Sequence, residues 1–222
     1  MDSFWGSLGN AFLNFLFPPH CPVCRAEIET FGDWCPACID KTAAVRRLPV
    51  FGRDELHTVW ALSFYRGGMK KLIQQLKYQK KKNVCAYIHT FLRFTAPEKI
   101  LPVPDLVVPV PLYAEKEKRR GFNQTTMIFG PWAEQLNYTW GEALLRVHET
   151  RPQYELDRQE RRQNMKHAFS LAEDKKEQIR DKRILLVDDI FTTGATIEAC
   201  AKVLCAAGAR QIDALVLASD HG

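Results

Sequence analysis

Two adjacent aspartates and three threonines follow a run of branched apolar residues in the stretch ILLVDDIFTTGAT, residues 184–196. The apolar run predicts a buried strand that ends at Asp188 and Asp189, and the residues from Ala195 onward predict a helix. In an open α/β sheet, ligands bind beyond the carboxyl ends of the strands. The types and position of these residues therefore predict a ligand site in this turn.

The turn combines two chemistries that one ligand would have to satisfy. Backbone N–H groups at a helix N-terminus attract an anion, threonine hydroxyls add donors, and glycine lets the backbone approach closely. The two carboxylates repel phosphate, but they accept hydrogen bonds from hydroxyl groups. A ribose 5-phosphate carries both kinds of group and fits the pattern. The alternative is a strand–turn–helix in which the aspartates cap the helix and the threonines only form the turn.

A second chemical pattern lies near the N-terminus, in CPVCRAEIETFGDWCPAC. It contains four of the seven cysteines, namely Cys21, Cys24, Cys35 and Cys38. Each C-P-x-C turn lets two thiolates point at one centre, so the two turns together predict a tetrahedral site for a structural Zn2+ ion. Rubredoxin-like iron or an iron–sulfur cluster is the alternative. Because four sulfur ligands leave the metal no open position, the site is expected to be structural and not catalytic.

Positive charge is concentrated in one part of the chain. The net charge is +5, which favours anionic partners, and no acidic residue lies between residues 66 and 93. This stretch and its flanks also contain aromatic residues, so it is compatible with phosphate contacts and base stacking on single-stranded DNA. The expected DNA contacts are Lys77, Lys80, Lys81 and Lys82. A solvated helix face followed by a lysine loop is the alternative.

The first twenty residues have apolar side chains at helical spacing, but glycine and asparagine interrupt the run, and no lysine or arginine precedes Arg25. This pattern argues against a signal peptide or a membrane span and favours a short helix packed on the protein. We therefore expect a cytoplasmic protein without stable membrane insertion.

These sites must be positioned by strands that alternate with helices. Strands are expected at 58–65, 105–112, 183–190 and 213–219, and helices at 69–78, at 84–92, from about 122, and at 195–207. Apolar strands separated by helices predict a parallel sheet covered on both faces. The expected domains are residues 1–57, with the N-terminal helix and the four-cysteine zinc module, and residues 58–222, with the α/β sheet.

The turn at 184–196 resembles the phosphoribosyl-pyrophosphate (PRPP) binding motif of type I phosphoribosyltransferases. The C-P-x-C pairs, the segment RRGFNQ at 119–124 and the segment RPQYELDRQERRQN at 151–164 extend the likeness. Together, and in this order, these motifs resemble the ComF/GntX family over nearly the whole chain. The resemblance implies an α/β type I phosphoribosyltransferase fold with a small N-terminal zinc module that has four cysteine ligands.

The resemblance also implies roles for individual residues. Asp188 and Asp189 would hold the ribose hydroxyls, and the 5-phosphate would be held by Thr192, Thr193, Gly194, Ala195 and Thr196. The pyrophosphate loop would be Pro111, Leu112 and Tyr113, with Arg119 and Arg120 as cationic donors that suit phosphate oxygens. For RRGFNQ, the alternative is a solvated charge pair followed by a helix start.

Type I enzymes have a mobile loop that closes over PRPP, and the segment at 146–166 resembles it in placement. Closure would bring Arg151, Arg161 and Arg162 to the pyrophosphate, where Mg2+ bound with PRPP also stabilises charge. An exposed helix of balanced charge is the alternative for this segment. The sequence contains no recognisable base-binding pocket, so the acceptor and turnover itself stay open.

The family resemblance implies a cytoplasmic PRPP-binding protein that supports DNA uptake in natural transformation. It would bind single-stranded DNA and work with helicase-type or DNA-processing proteins. Two alternatives belong to other classes. One is a phosphoribosyltransferase of base salvage or nucleotide modification, and the other is a PRPP-sensing regulator that binds nucleic acid.

Overall fold

The computed structural model describes residues 18–49, 55–147 and 168–221. The strands are β1 Ala43–Arg47, β2 Thr58–Phe64, β3 Leu106–Pro109, β4 Leu144–Arg146, β5 Phe169–Leu171, β6 Arg183–Phe191 and β7 Gln211–Ser219. The helices are α1 Pro36–Thr42, α2 Gly67–Gln79, α3 Cys85–Thr95, α4 Ala114–Arg120, α5 Gln124–Gln135, α6 Lys176–Ile179 and α7 Ala195–Ala206. Short 3-10 turns lie at Lys82–Val84 and Pro97–Lys99.

Five strands form the main sheet in the order β1-β2-β7-β6-β3. The four strands from β2 onward run parallel to their neighbours, as the sequence predicts. The edge strand β1 instead pairs with β2 in antiparallel fashion, so the sheet is mixed and not purely parallel. A separate pair, β4 and β5, is antiparallel.

Apolar side chains cover both faces of the sheet. Along β6, Ile184 and Leu186 pack in one apolar cluster with residues of α7, while Leu185 and Val187 pack in the other with residues of α2, α3 and α5. Successive strand residues face opposite sides of a sheet, so β6 supplies both cores. A continuous apolar run is what a strand buried on both faces requires. The two aspartates of β6, Asp188 and Asp189, follow this apolar run toward the carboxyl end of the strand.

The cysteine-rich segment packs directly on the helices of the sheet. The indole Nε1 of Trp34 donates a hydrogen bond of 2.8 Å to the carbonyl of Tyr87, and its ring lies 5.7 Å from that of Phe91. A Cβ added at Gly68 would lie 2.2 Å from Val23, so a larger residue would push the two segments apart. The ranges 1–57 and 58–222, whose boundary stays a prediction, therefore share a core.

No helix within the three described ranges is both long and apolar enough to cross a membrane. The apolar stretch before Pro18, where the sequence predicts a short helix, lies outside the described residues.

Candidate functional site

Asp188 and Asp189 lie near the carboxyl end of β6, just beyond the end of the neighbouring β3, and the strand continues to Phe191. Their exposed fractions are only 7% and 3%. This is the position at which an open α/β sheet binds ligands, so the geometry agrees with the sequence expectation. Their contact with ribose hydroxyls stays a prediction.

Asp188 is held by two donors. Its Oδ1 accepts hydrogen bonds from the Thr125 hydroxyl at 3.3 Å and from the backbone N–H of Asp189 at 2.8 Å. Burial, together with the neighbouring Asp189 carboxylate, raises the pKa of Asp188 to about 8, although Lys77 and the Asp189 N–H act in the opposite direction. Burial therefore favours the protonated form of Asp188.

Asp189 is paired with a lysine from a different element. Lys77 Nζ, on α2, lies 2.6 Å from Asp189 Oδ2, and the lysine side chain is only 16% exposed. Because burial favours the neutral form of Asp188 and Lys77 pairs with Asp189, the acidic pair adds little net negative charge to the site. This arrangement explains how two carboxylates can lie beside a loop suited to phosphate.

The placement of Lys77 bears on the DNA contacts expected from the sequence. Lys80, Lys81 and Lys82 are exposed, whereas Lys77 is turned toward the acidic pair. The position of Lys77 was detectable in principle, because it follows the buried Ile73 by four residues and so lies beside the buried face of its helix. Sequence reasoning missed this role.

The segment 192–196 forms a turn at the N-terminus of α7. Gly194 has φ +79°, a left-handed conformation that suits glycine, and it is the N-cap residue of the helix. Its carbonyl accepts the first helical hydrogen bond, from Glu198 N at 2.9 Å. A small cavity is lined by Thr192, Gly194, Ala195 and Thr196 together with apolar neighbours. The turn has the form expected of an anion-binding loop, and its 5-phosphate role stays a prediction.

The expected pyrophosphate loop, 111–113, follows β3 and is held by Asn123. The Asn123 side chain donates to the carbonyl of Val110 at 3.2 Å and accepts from Thr125 N at 2.9 Å, so it caps α5. Asn123 is itself buried. It therefore fixes the start of this loop relative to α5, which also carries the Thr125 hydroxyl that contacts Asp188.

The segment 119–124 contains two arginines and is contacted by two lysines that follow α2. Burial lowers the pKa of the half-buried Arg120, while the Asp189 carboxylate raises it. Arg120 donates to the side chain of Gln124. Lys80 donates to the carbonyl of Arg119 at 2.6 Å, and Lys82 Nζ lies 5.1 Å from the centre of the Phe122 ring. We call Lys80, Lys81, Lys82, Arg119 and Arg120 the basic surface.

Arg151, Arg161 and Arg162, the arginines expected in the mobile loop, lie outside the described residues. Val147 and Ala168 are the nearest described residues on either side of these arginines. The backbone N–H of Val147 donates a hydrogen bond of 2.9 Å to the carbonyl of Ala168. Arg146 also forms a β-bridge with Tyr113 of the expected pyrophosphate loop. Val147 and Ala168, which flank the residues that the structure does not describe, thus lie near that loop.

The four cysteine sulfurs lie within 4.8 Å of one another, and the Sγ atoms of Cys24 and Cys35 are 3.6 Å apart. A tetrahedral zinc ion with Zn–S bonds near 2.3 Å requires sulfurs roughly 3.8 Å apart, so the cluster fits. Burial raises the pKa of Cys21, but backbone N–H groups of the two C-P-x-C turns lower it more, to about 6. Such N–H groups favour the thiolate that binds the metal.

Comparison with known families assigns both parts of the chain to a class. Residues 145–222 match the model of the phosphoribosyl transferase domain, and residues 12–49 match that of the double zinc ribbon domain. The fold is therefore that of a type I phosphoribosyltransferase with an N-terminal zinc module, as the sequence predicts. The zinc ribbon match also supports structural zinc at the four cysteines.

Relatives extend over most of the chain. Competence protein F of Haemophilus influenzae is 30% identical over 207 residues, which are 90% of this chain and 84% of that protein. DNA utilization protein YhgH of Escherichia coli strain K12 is 29% identical over 205 residues, 86% of each chain. Competence protein ComFC of Bacillus subtilis is 25% identical over 209 residues, 87% of this chain and 82% of that protein. The chain belongs to the ComF/GntX family.

Proposed function

We propose that this protein binds PRPP and single-stranded DNA and supports DNA uptake in natural transformation. The observation that carries the proposal is the acidic pair Asp188–Asp189, which lies two residues before the anion-binding turn 192–196, near the end of a central strand. The names of the relatives, which refer to competence and to DNA utilization, support the biological role.

PRPP matches the donors and acceptors of the site. Its 5-phosphate would accept hydrogen bonds from backbone N–H groups at the start of α7, and its ribose hydroxyls would donate to the carboxylate of Asp189. Burial favours the protonated form of Asp188, and in that form Asp188 can both donate and accept. The pyrophosphate would lie against residues 111–113, with Arg119 and Arg120 as cationic donors.

Magnesium accompanies this proposal as a companion of the ligand. Asp189, which is paired with Lys77, offers the carboxylate oxygens that fit an Mg2+ ion carried with PRPP. The ion would offset negative charge on the pyrophosphate if the C–O bond at the ribose anomeric carbon breaks. Arg120 would act on the same charge from the protein side.

Single-stranded DNA would bind along the basic surface, which adjoins the acidic pair. Lys80 and Lys82 are exposed, and both are anchored on the segment that carries Arg119 and Phe122. Tyr78, in the last turn of α2, is 74% exposed and offers a ring on which a base can stack. Helicase-type or DNA-processing proteins are the partners we propose. The cytoplasm is the proposed location, because thiolate ligands remain reduced there.

The test is a fluorescence-anisotropy titration with a labelled single-stranded oligonucleotide, with and without PRPP and Mg2+. Pyrophosphate is assayed in the same samples. We expect salt-dependent binding of the single strand. Pyrophosphate release that requires a nucleobase, with no binding of the oligonucleotide, would favour base salvage instead. Sequence-specific duplex binding that PRPP alters would favour a regulator, and either result would contradict the proposal.

A further inference from the structure

The guanidinium group of Arg46, on β1, donates hydrogen bonds to four backbone carbonyls. Its Nη1 donates to Ala44 at 2.9 Å and to Ser63 at 3.2 Å. Its Nη2 donates to Ser219 at 3.4 Å and to His221 at 2.5 Å. The guanidinium also lies 3.8 Å from the centre of the Phe64 ring. One side chain thus joins the edge strand β1 to β2 and to the chain that follows β7.

His221 carries the connection to the anion-binding turn. Its ring Nε2–H donates to the carbonyl of Thr192, and its ring lies 5.6 Å from that of Phe191. The backbone N–H of His221 donates to the Ser219 hydroxyl at 3.0 Å. The backbone of His221 is therefore held by Arg46 and Ser219, and its ring is held by the anion-binding turn.

Holding this carbonyl fixes the direction of a donor. The peptide bond between Thr192 and Thr193 is planar, and in a trans peptide the C=O and the N–H point in opposite directions. Because His221 holds the carbonyl of Thr192, the N–H of Thr193 points away from His221. A rotated peptide would present a carbonyl where the turn should present a donor to an anion.

The other end of the connection lies in the zinc module. Cys35 is the N-cap residue of α1, Cys38 lies within that helix, and β1 follows it directly. The pairing of β1 with β2 shifts register between Ala43 and Arg46. Such irregularities redirect side chains in a strand. The metal site, α1 and Arg46 are thus consecutive along the chain.

We propose that Arg46 is a positioning residue that couples the zinc module to the anion-binding turn through His221. The inference rests on the proposed function, because it assigns a direction to the amide donors for the PRPP 5-phosphate. By reciprocity, phosphate binding at the turn also raises the affinity of the cysteines for zinc. Differences in affinity appear mostly in the dissociation rate, so zinc should also leave more slowly.

The experiment uses the full chain loaded with zinc. PRPP affinity is measured by calorimetry for wild type, Arg46→Gln, Arg46→Lys, His221→Ala and the double variant Arg46→Gln/His221→Ala. Arg47→Gln is the matched control, because Arg47 is an exposed arginine on the same strand. Zinc content and unfolding temperature are recorded for every variant, and zinc release to a chelator is timed with and without PRPP.

We expect Arg46→Gln to weaken PRPP binding by about tenfold with full zinc content, Arg46→Lys to weaken it less, and Arg47→Gln to leave it unchanged. If Arg46 acts through His221, the two substitutions are non-additive, and the double variant is about as weak as either single one. PRPP slows zinc release in wild type but not in Arg46→Gln.

Three results would each overturn the coupling. They are an unchanged PRPP affinity in Arg46→Gln, additive losses of PRPP affinity in the double variant, or a rate of zinc release from wild type that PRPP does not change. In all three cases the proposed function stands, because wild type still binds PRPP. Absence of PRPP binding to wild type would overturn the proposed function and the coupling with it.

Discussion

Lys77 Nζ lies 2.6 Å from Asp189 Oδ2, and this contact joins α2 to the carboxyl end of β6. The lysine comes from a part of the chain more than a hundred residues away, and it forms an ion pair with the second carboxylate of the acidic pair. Without it, a buried negative charge would face the anion-binding turn. The ion pair is therefore central to how the site would accept PRPP.

Replacing Lys77 with methionine should weaken PRPP binding by about tenfold or more, because Asp189 would then repel the phosphates without compensation. The variant should also unfold more easily, since removal of one partner of a buried pair leaves the other charge uncompensated. Calorimetry measures the first effect and urea unfolding the second. Lys81→Met is the matched control, with the same change at an exposed lysine. Equal affinity in the two variants would contradict this role for Lys77.

The pH dependence of stability should report on Asp188. Its pKa is about 8 in the folded protein, against 3.8 for an ordinary aspartate. Below pH 4, Asp188 is protonated in both the folded and the unfolded state, and its contribution to stability is fully present. Between pH 4 and 8, only the folded state keeps this proton. Stability should therefore fall as pH rises through this window, by at most about 1.4 kcal/mol per pH unit.

Asp188→Asn removes the titrating group and keeps its shape. We expect its unfolding free energy to depend less on pH between 5 and 8 than that of wild type, and to exceed the wild-type value at pH 8.5. Urea unfolding at a series of pH values measures both. Parallel curves for the two proteins would show that Asp188 is ionised in the folded state, contrary to the account.

Cys21→Ser or Cys38→Ser should release zinc and lower the unfolding temperature, because the zinc module packs its Trp34 on α3. Metal content is measured by native mass spectrometry. Cys205→Ser serves as the control, since Cys205 is exposed and lies on α7, away from the four-sulfur cluster. One zinc ion retained in both cluster variants would refute the four-sulfur site, and iron in the wild-type spectrum would refute zinc.

Replacing Lys80, Lys81 and Lys82 with glutamine should reduce the salt dependence of single-stranded DNA binding by up to about three phosphate contacts. A charge-matched control replaces three other exposed lysines, Lys99, Lys176 and Lys182. Lys182 immediately precedes β6 and so lies at the amino end of this strand, whereas the acidic pair lies near its carboxyl end. If both triple variants change the salt slope equally, the DNA does not bind at the basic surface.

Local patterns were enough to predict β6, α7 and the four-cysteine cluster. Each depends on residues close together in sequence, such as the apolar run before Asp188 or the paired C-P-x-C turns. The strand at 105–112 was predicted too long, because only Leu106–Pro109 lies in the sheet. Pro109 and Pro111 lack the N–H that a strand ladder needs, so the chain leaves the sheet there.

Contacts between distant segments account for what the sequence did not predict. The short β1 has no strong pattern of its own, and its antiparallel pairing with β2 depends on the packing of the zinc module. Helix α4, Ala114–Arg120, has no buried residue and hence no apolar stripe to reveal it. The roles of Lys77 and Arg46 follow only from where α2 and β1 pack relative to β6 and β7.

The most direct test of the account is calorimetric titration of PRPP with Mg2+ into wild type and into the double variant Asp188→Asn/Asp189→Asn. We expect saturable binding to wild type, and loss of that binding in a double variant that remains folded and zinc-loaded. PRPP binding of equal affinity to both proteins, or no binding to wild type, would contradict the assignment of this site.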